Sequence, residues 1–169
     1  IVLHYVINNI FARKAVEKGA DGLIAVAAGA GGHAGTLSPF ALIQEIRAWF
    51  DGPLALSGSI ATGRAIAAAR MMGADLGYMG TPFIATEEAN AQAAYKQMIV
   101  DGSAQDIVYS DVFTGVLGNY LRPSIVAAGL DPDALPKAKD MDFASLTGGE
   151  KKAWRDVWGA GQGIGAIAK

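Results

Sequence analysis

The sequence predicts an α/β fold built on a parallel sheet. Three observations carry that prediction. Strand-like and helix-like segments alternate at spacings of roughly 20 to 30 residues, the rhythm of successive βα units. The strand-like segments are short, continuous apolar runs, of which Leu23 to Ala27 is the clearest, and such runs suit strands buried on both faces. The chain holds 22 glycines, and they gather where those runs end.

Val2 to Ile7 reads as the first strand, with His4 inside it as a structural residue. Asn8-Asn9 turns the chain or caps a helix over Phe11 to Lys18, whose inner face is expected to hold Phe11, Ala15 and Val16. Gly19 is a left-handed helix stop. Leu23 to Ala27 follows as the second strand and Ala28 to Leu37 as a loop. Ser38 caps, and Pro39 opens, a helix to about Phe50 with Phe40, Ile43, Ile46 and Phe50 turned inward. Pro53 to Ser57 leads in a third strand, Thr62 to Met72 forms a third helix stopped by Gly73, and Leu76 to Met79 is a fourth strand. Gly-Ala-Asp precedes both the second and the fourth strand, which suggests repeated units. Thr86 reads as the cap of the next helix, with Glu87 and Glu88 in its first turn, running through Ala94 and Met98 to Gly102. Ile107 to Tyr109 is a short strand. From Thr114 to Asp142 the pattern weakens into turns at Arg122-Pro123, Asp131-Pro132 and Leu135-Pro136. Lys151 to Trp158 is a short helix, its Trp154 and Trp158 assigned to packing, and Gly159 to Gly165 is a second glycine-rich loop.

Composition narrows the function. With 169 residues, 51% of them hydrophobic, one domain with a substantial core is within reach. No apolar run approaches the roughly eighteen residues that a membrane-spanning helix needs. A net charge of −2 without a basic run argues against a nucleic-acid surface. Without cysteine, and with only two histidines, disulfides and thiolate or multi-histidine metal sites are not expected. A cytoplasmic setting is the default expectation. The chain opens on Ile1 in an apolar strand and ends in another apolar run, so both ends read as cuts through a larger fold.

Two architectures fit the alternation, a doubly wound sheet and a (β/α)8 barrel, and in both the ligands gather at the carboxyl ends of the strands. Those ends supply Gly31-Gly32-His33, then Ser57-Gly58-Ser59, then Tyr78-Met79-Gly80-Thr81. Two successive glycine-rich ends followed by a helix start are what a barrel uses to hold a phosphate late in the chain, the alternative reading being plain tight turns. The backbone amides of Gly58, Gly80 and Thr81, with the Thr81 hydroxyl, are the expected donors. A phosphate-binding P-loop is absent, and Gly29, Gly31 and Gly32 are wrongly spaced for a dinucleotide fingerprint. His33, flanked by small residues at a strand's carboxyl end, is the candidate proton-handling group. Asp21 and Asp75 precede strands, at the opposite end, and receive no catalytic role. Tyr109 and Asp111 give only a weak signal.

At these residues the chain resembles a known family. Ala30 to Gly35 (Ala-Gly-Gly-His-Ala-Gly), Ser57 to Arg64, Met79 to Ala89 and Trp158 to Gly165 are similar, in that order, to the nitronate monooxygenases, FMN enzymes formerly called 2-nitropropane dioxygenases. The resemblance implies a TIM (β/α)8 barrel, of which this chain holds the C-terminal half plus a second helical region. It implies barrel over 1–112, a second region containing Arg122 over 113–150, and a closing helix and loop near the flavin over 151–169. It makes His33 the catalytic residue. It places FMN on Gly31, Gly32, Ser57, Gly58, Ser59, Tyr78, Met79, Gly80 and Thr81, with Gln162 near the flavin or the substrate mouth, and implies no metal.

The implied reaction oxidises an alkyl nitronate with O2 to a carbonyl compound and nitrite. His33 would hold the nitro oxygens when protonated, or take the α-proton of a neutral nitroalkane when neutral. The expected partners are that small substrate, O2 and the N-terminal barrel half, with a homo-oligomer left open. The chain departs from the family in three ways. Val26 stands where many members carry glutamine, Ser57-Gly58-Ser59-Ile60 replaces the usual Gly-Gly-Ile, and the first barrel half is absent, which would expose an apolar sheet edge. The same barrel and loop serve FMN-dependent enoyl-[acyl-carrier-protein] reductases and NAD(P)H:quinone reductases. A flavin-binding module without turnover and a phosphosugar enzyme are the remaining rivals.

Overall fold

The structure, a computed structural model, describes residues 1–135 and 156–167. Four strands, β1 (Leu3–Val6), β2 (Gly22–Val26), β4 (Leu54–Ser57) and β5 (Leu76–Tyr78), form one all-parallel sheet in that spatial order. Between them run α1 (Asn9–Glu17), α2 (Pro39–Arg47) and α3 (Gly63–Met71). A two-residue strand, β3 (Gly32–His33), leaves the β2 loop and joins a separate antiparallel sheet with β6 (Ile107–Ser110) and β7 (Gly118–Leu121). Two helices, α4 (Thr81–Ile84) and α5 (Ala93–Asp101), lie between β5 and β6, and α6 (Arg122–Ala127) follows β7.

Alternation along each strand sorts the side chains. Val6, Leu23, Ala25, Leu54 and Leu56 point to one face, where they form the main core with Ala12, Leu42, Ile43 and Ile46 of the helices. Tyr5, Ile24, Ala55 and Leu76 share one level of the other face by register. That face is concave. In a flat sheet β1 and β5, three spacings apart, would be separated by about 14 Å. Yet the Tyr5 hydroxyl donates to that of Tyr78 at 2.6 Å, and the rings meet edge to face at 5.7 Å. The hydrogen bond between the two hydroxyls raises the Tyr5 pKa above its ordinary value. A curled parallel sheet with helices on its convex side is an arc of a (β/α)8 barrel.

The repeated Gly-Ala-Asp is a structural unit. Gly19 (φ +93°) and Gly73 (φ +109°) terminate α1 and α3 in the left-handed conformation. The following alanines donate back to Ala15 and Ala69, which completes the same helix stop in each case. Each aspartate then accepts from an amide at the start of the neighbouring strand. Asp21 takes Val2 N–H at 2.7 Å and Asp75 takes Leu54 N–H at 2.8 Å.

Several elements differ from expectation. Phe11 and Phe40 are exposed, and the inner stripes are Ala12 and Ala15 on α1 and Leu42, Ile43 and Ile46 on α2. Phe50 is buried beyond the end of α2. Thr86 does not open α5. Its hydroxyl donates back to the Phe83 carbonyl at 3.0 Å, and Lys96 takes the Thr86 carbonyl at 2.6 Å, so the helix begins at Ala93. Both β3 and β7 lie in stretches read as loop. Most of the helix expected over Lys151 to Trp158, Trp154 included, lies outside the described residues. Trp158 packs, its ring stacked on Tyr95 at 4.9 Å. Among the described residues no helix is long and apolar enough to cross a membrane.

Candidate active site at the strand ends

Because the sheet is parallel, the carboxyl ends of β2, β4 and β5 open on one side. There a small cleft is lined by Gly29 to Gly31, Ser57 to Ala61, Tyr78 to Thr81, Gly161 and Gly163. Gly58 has φ +136°, and a Cβ on it would lie 2.8 Å from the Ala28 carbonyl oxygen, so only glycine fits. Ser59 follows at φ +56°, a left-handed conformation that costs a serine roughly 1 kcal/mol. Its amide donates to the Gly29 carbonyl at 3.2 Å, which holds it there. The amide of Gln162 donates to the same carbonyl at 2.9 Å. Gly161 N–H donates to Thr81 Oγ1 at 2.9 Å. Three segments distant in sequence are thus stitched around one small space. The amides of Gly58, Gly80 and Thr81 have no acceptor among the described residues. Among the described residues no acidic side chain lines the cleft. Such a lining of backbone donors suits an anion.

Ser57, Gly58, Ser59, Tyr78, Met79, Gly80, Thr81 and Gly31 therefore come together. The Thr81 hydroxyl accepts from Gly161, so its oxygen is already engaged while its proton remains available to donate. Gly32 borders an adjoining cleft with Ile84, Tyr95 and Gly159. Tyr95 was not singled out from the sequence. Its hydroxyl donates to the Gly159 carbonyl, and burial pushes its pKa up to about 12. Gln162 joins the rim of the first cleft through its amide on the Gly29 carbonyl without lining it. It borders a third cleft beside Ala28, Tyr109 and Asn119, while its glycine neighbours line the first.

His33 ends the Gly29–His33 loop and lines a different cleft. It faces an apolar cleft whose walls include Val26, Ala34, Val116 and Leu117, with Tyr5 and Phe11 at its edge. Gly31 and Gly32, which precede His33 in the loop, border the first and the adjoining clefts and not this one. The loop is held by the second sheet, whose strands β3 and β7 carry no apolar alternation in the sequence. His33 pairs with Gly118, and Gly32 with Asn119. Asn119 is buried, and its Nδ2 donates to the Ala30 carbonyl at 2.7 Å. Tyr109 donates to the Ala34 carbonyl at 2.7 Å, and burial raises its pKa. The loop bearing His33 is clamped on both flanks. The ring itself is anchored through Nε2, 2.9 Å from Thr114 Oγ1. Arg122 lines none of these clefts and pairs with Asp133 at 2.8 and 3.0 Å. Among the described residues no group of three His, Asp or Glu side chains is placed to hold a metal ion.

Residues 2–129 match the family described as "Nitronate monooxygenase". A nitronate monooxygenase of Paraburkholderia phytofirmans is 29% identical over 123 residues, which cover 68% of this chain and 34% of that protein. A nitronate monooxygenase of Pseudomonas aeruginosa is 36% identical over 90 residues, covering 48% of this chain and 26% of its own length. The chain thus spans about a third of the length of the curated relatives it matches. Among solved structures, FabK from Thermotoga maritima superposes with a TM-score of 0.78 at 30% identity, covering 98% of this chain and 55% of that one. Nitroalkane oxidase from Streptomyces ansochromogenes superposes with a TM-score of 0.72 at 27% identity, covering 98% and 52%.

Proposed function

The chain belongs to the nitronate monooxygenase family, and from that premise we propose that it supplies part of the site of an FMN-dependent oxidoreductase. The reaction we assign is oxidation of alkyl nitronates with O2 to carbonyl compounds and nitrite. One observation carries this reading, namely that a single clamped loop lines a cleft of unpaired backbone amides with Gly29 to Gly31 and carries an exposed histidine at its end.

The residues present fit the cofactor. Among the described residues Gly58, Gly80 and Thr81 offer free amides to a phosphate, and none comes within 4 Å of a Cβ built on Gly80. The flavin, when bound, supplies the redox chemistry. Ser57 and Tyr78, at the strand tips, border the same space. His33 takes the α-proton of a neutral nitroalkane or holds the oxygens of a nitronate. The apolar wall of Val26, Val116 and Leu117 receives the alkyl substituent. We assign residues 1–112 to the barrel, 113–150 to a second region and 151–169 to the closing segment, with the remaining barrel strands supplying the rest of the site.

The apolar walls beside His33 also favour a second reading, an FMN-dependent enoyl-[acyl-carrier-protein] or quinone reductase on the same barrel. The test is the visible spectrum of the full-length protein, followed by anaerobic mixing with a nitronate and, separately, with NADH or NADPH. Flavin bands that bleach with the nitronate alone support the oxidase. Bleaching only with the pyridine nucleotide supports the reductase. Absence of a flavin band after FMN addition overturns both. His33→Ala is expected to retain FMN and lose turnover, and a variant with full turnover would sink the histidine's role.

A further inference from the structure

We propose that Thr114 is the positioning residue for His33, selecting the imidazole tautomer that carries its proton on Nε2 and leaves Nδ1 basic. The inference rests on the proposed function only in giving that base a task. The tautomer follows from the hydrogen bonds themselves.

Thr114 Oγ1 has four neighbours. His33 Nε2 lies at 2.9 Å, the Val116 carbonyl at 3.1 Å, the Tyr120 hydroxyl at 3.3 Å and the Val116 amide at 3.4 Å. A threonine hydroxyl has one proton and two lone pairs. The Val116 carbonyl can only accept, so it claims the Thr114 proton. The Val116 amide can only donate. The Tyr120 hydroxyl and the Val116 amide, the two longest contacts, share one lone pair of Oγ1, which leaves the other for the ring at 2.9 Å and makes His33 Nε2 the donor. The neutral imidazole then carries its lone pair on Nδ1, which has no hydrogen-bond partner among the described residues.

The surroundings keep this arrangement from relaxing. The pairing of His33 with Gly118 fixes the histidine's backbone against the turn that carries Thr114. The Tyr120 ring is buried and packs edge to face on Phe113 at 4.8 Å, which fixes its hydroxyl. Among the described residues no carboxylate bonds the ring, so orientation falls to a neutral hydroxyl. In the assigned chemistry Nδ1 takes a proton from the α-carbon of a nitroalkane. The C–H electron pair moves onto the nitro group as the nitronate, and the imidazolium still donates from Nε2 to Thr114.

The test uses full-length flavoprotein carrying ¹⁵N-labelled histidine, with ring nitrogens read by long-range ¹H–¹⁵N correlation at a pH where His33 is neutral. Wild type is expected to show a protonated Nε2 and a bare Nδ1. Thr114→Val is expected to lose that preference, and Thr114→Ser to restore it. With a neutral nitroalkane, kcat of Thr114→Val is expected to fall roughly tenfold at little cost in KM. With preformed nitronate, which needs no deprotonation, the change is expected to stay within about twofold. A protonated Nδ1 in wild type, or ring shifts unmoved by Thr114→Val, overturns the proposal. Should the valine variant fail to fold, the wild-type and serine spectra still decide it. The ring shifts answer independently of whether His33→Ala abolishes turnover, so failure of the tautomer and failure of the assigned chemistry read differently.

Discussion

At the scale of single residues, the candidate site is made mostly of what side chains leave out. Gly58 is the sharpest case, because both its φ of +136° and the 2.8 Å approach of a notional Cβ to the Ala28 carbonyl forbid a larger residue. Gly58→Ala is therefore expected to shift the loop and weaken FMN binding by roughly tenfold or more, the equivalent of the 1 to 3 kcal/mol such strain costs. Titrating apo-protein with FMN by flavin fluorescence checks it, and unchanged affinity would remove this loop from the phosphate site. Gly80→Ala is the control for the fold, since none of the described residues meets a Cβ there. The glycines at these strand ends were legible in the sequence because a short apolar run that stops in glycine leaves few alternatives. The tautomer of His33 was not legible, because Thr114 stands 81 residues away and only the folded hairpin brings it near.

At the scale of elements, the βα unit carries its own fastening. The Leu54 amide, then the Arg47 guanidinium, hold the Asp75 carboxyl below its ordinary pKa. A carboxylate with a lowered folded pKa stabilises the native state above its unfolded pKa, near 3.8, and that contribution is lost as pH falls through the folded value. Asp75→Ala is expected to destabilise by about 1 kcal/mol at pH 7, the worth of a partly exposed hydrogen bond to a charged group. The difference should shrink as unfolding is repeated toward pH 3. Urea denaturation at the two pH values checks it, and a gap that persists in acid would show that the carboxylate's charge is not the cause. The parallel strands were readable from apolar runs, and the recurrence of Gly-Ala-Asp pointed to a real unit. The second sheet was not readable. Its strand β3 is two residues in a glycine-rich loop, and β7 begins Gly118-Asn119 with no apolar alternation. The capping signal at Thr86 was real but served the end of α4, because Lys96 occupies the carbonyl that a helix would have used.

At the scale of the molecule, one face of the barrel arc has no counterpart among the described residues. Leu3, Tyr5, Ile7, Leu76 and Tyr78 are exposed on or beside the concave side, and β1 and β5 each keep an unpaired edge in their sheet. Apolar surface next to open strand edges drives association, and a net charge of −2 opposes it weakly. The 169-residue chain prepared by itself is therefore expected to self-associate at micromolar concentration and to bind FMN more weakly than the full-length protein. Light scattering and flavin titration check both, and a monodisperse monomer would mean that the exposed face is satisfied within the chain. Paired substitutions separate face from edge. Leu3→Lys with Leu76→Lys places charge on the concave side of each of the two outer strands, at residues that line none of the clefts described, and leaves the backbone edges as they are. If the apolar face drives association, this variant stays monomeric. If association persists, the edges of β1 and β5 carry it, and a charge or proline on those strands is the change that stops it.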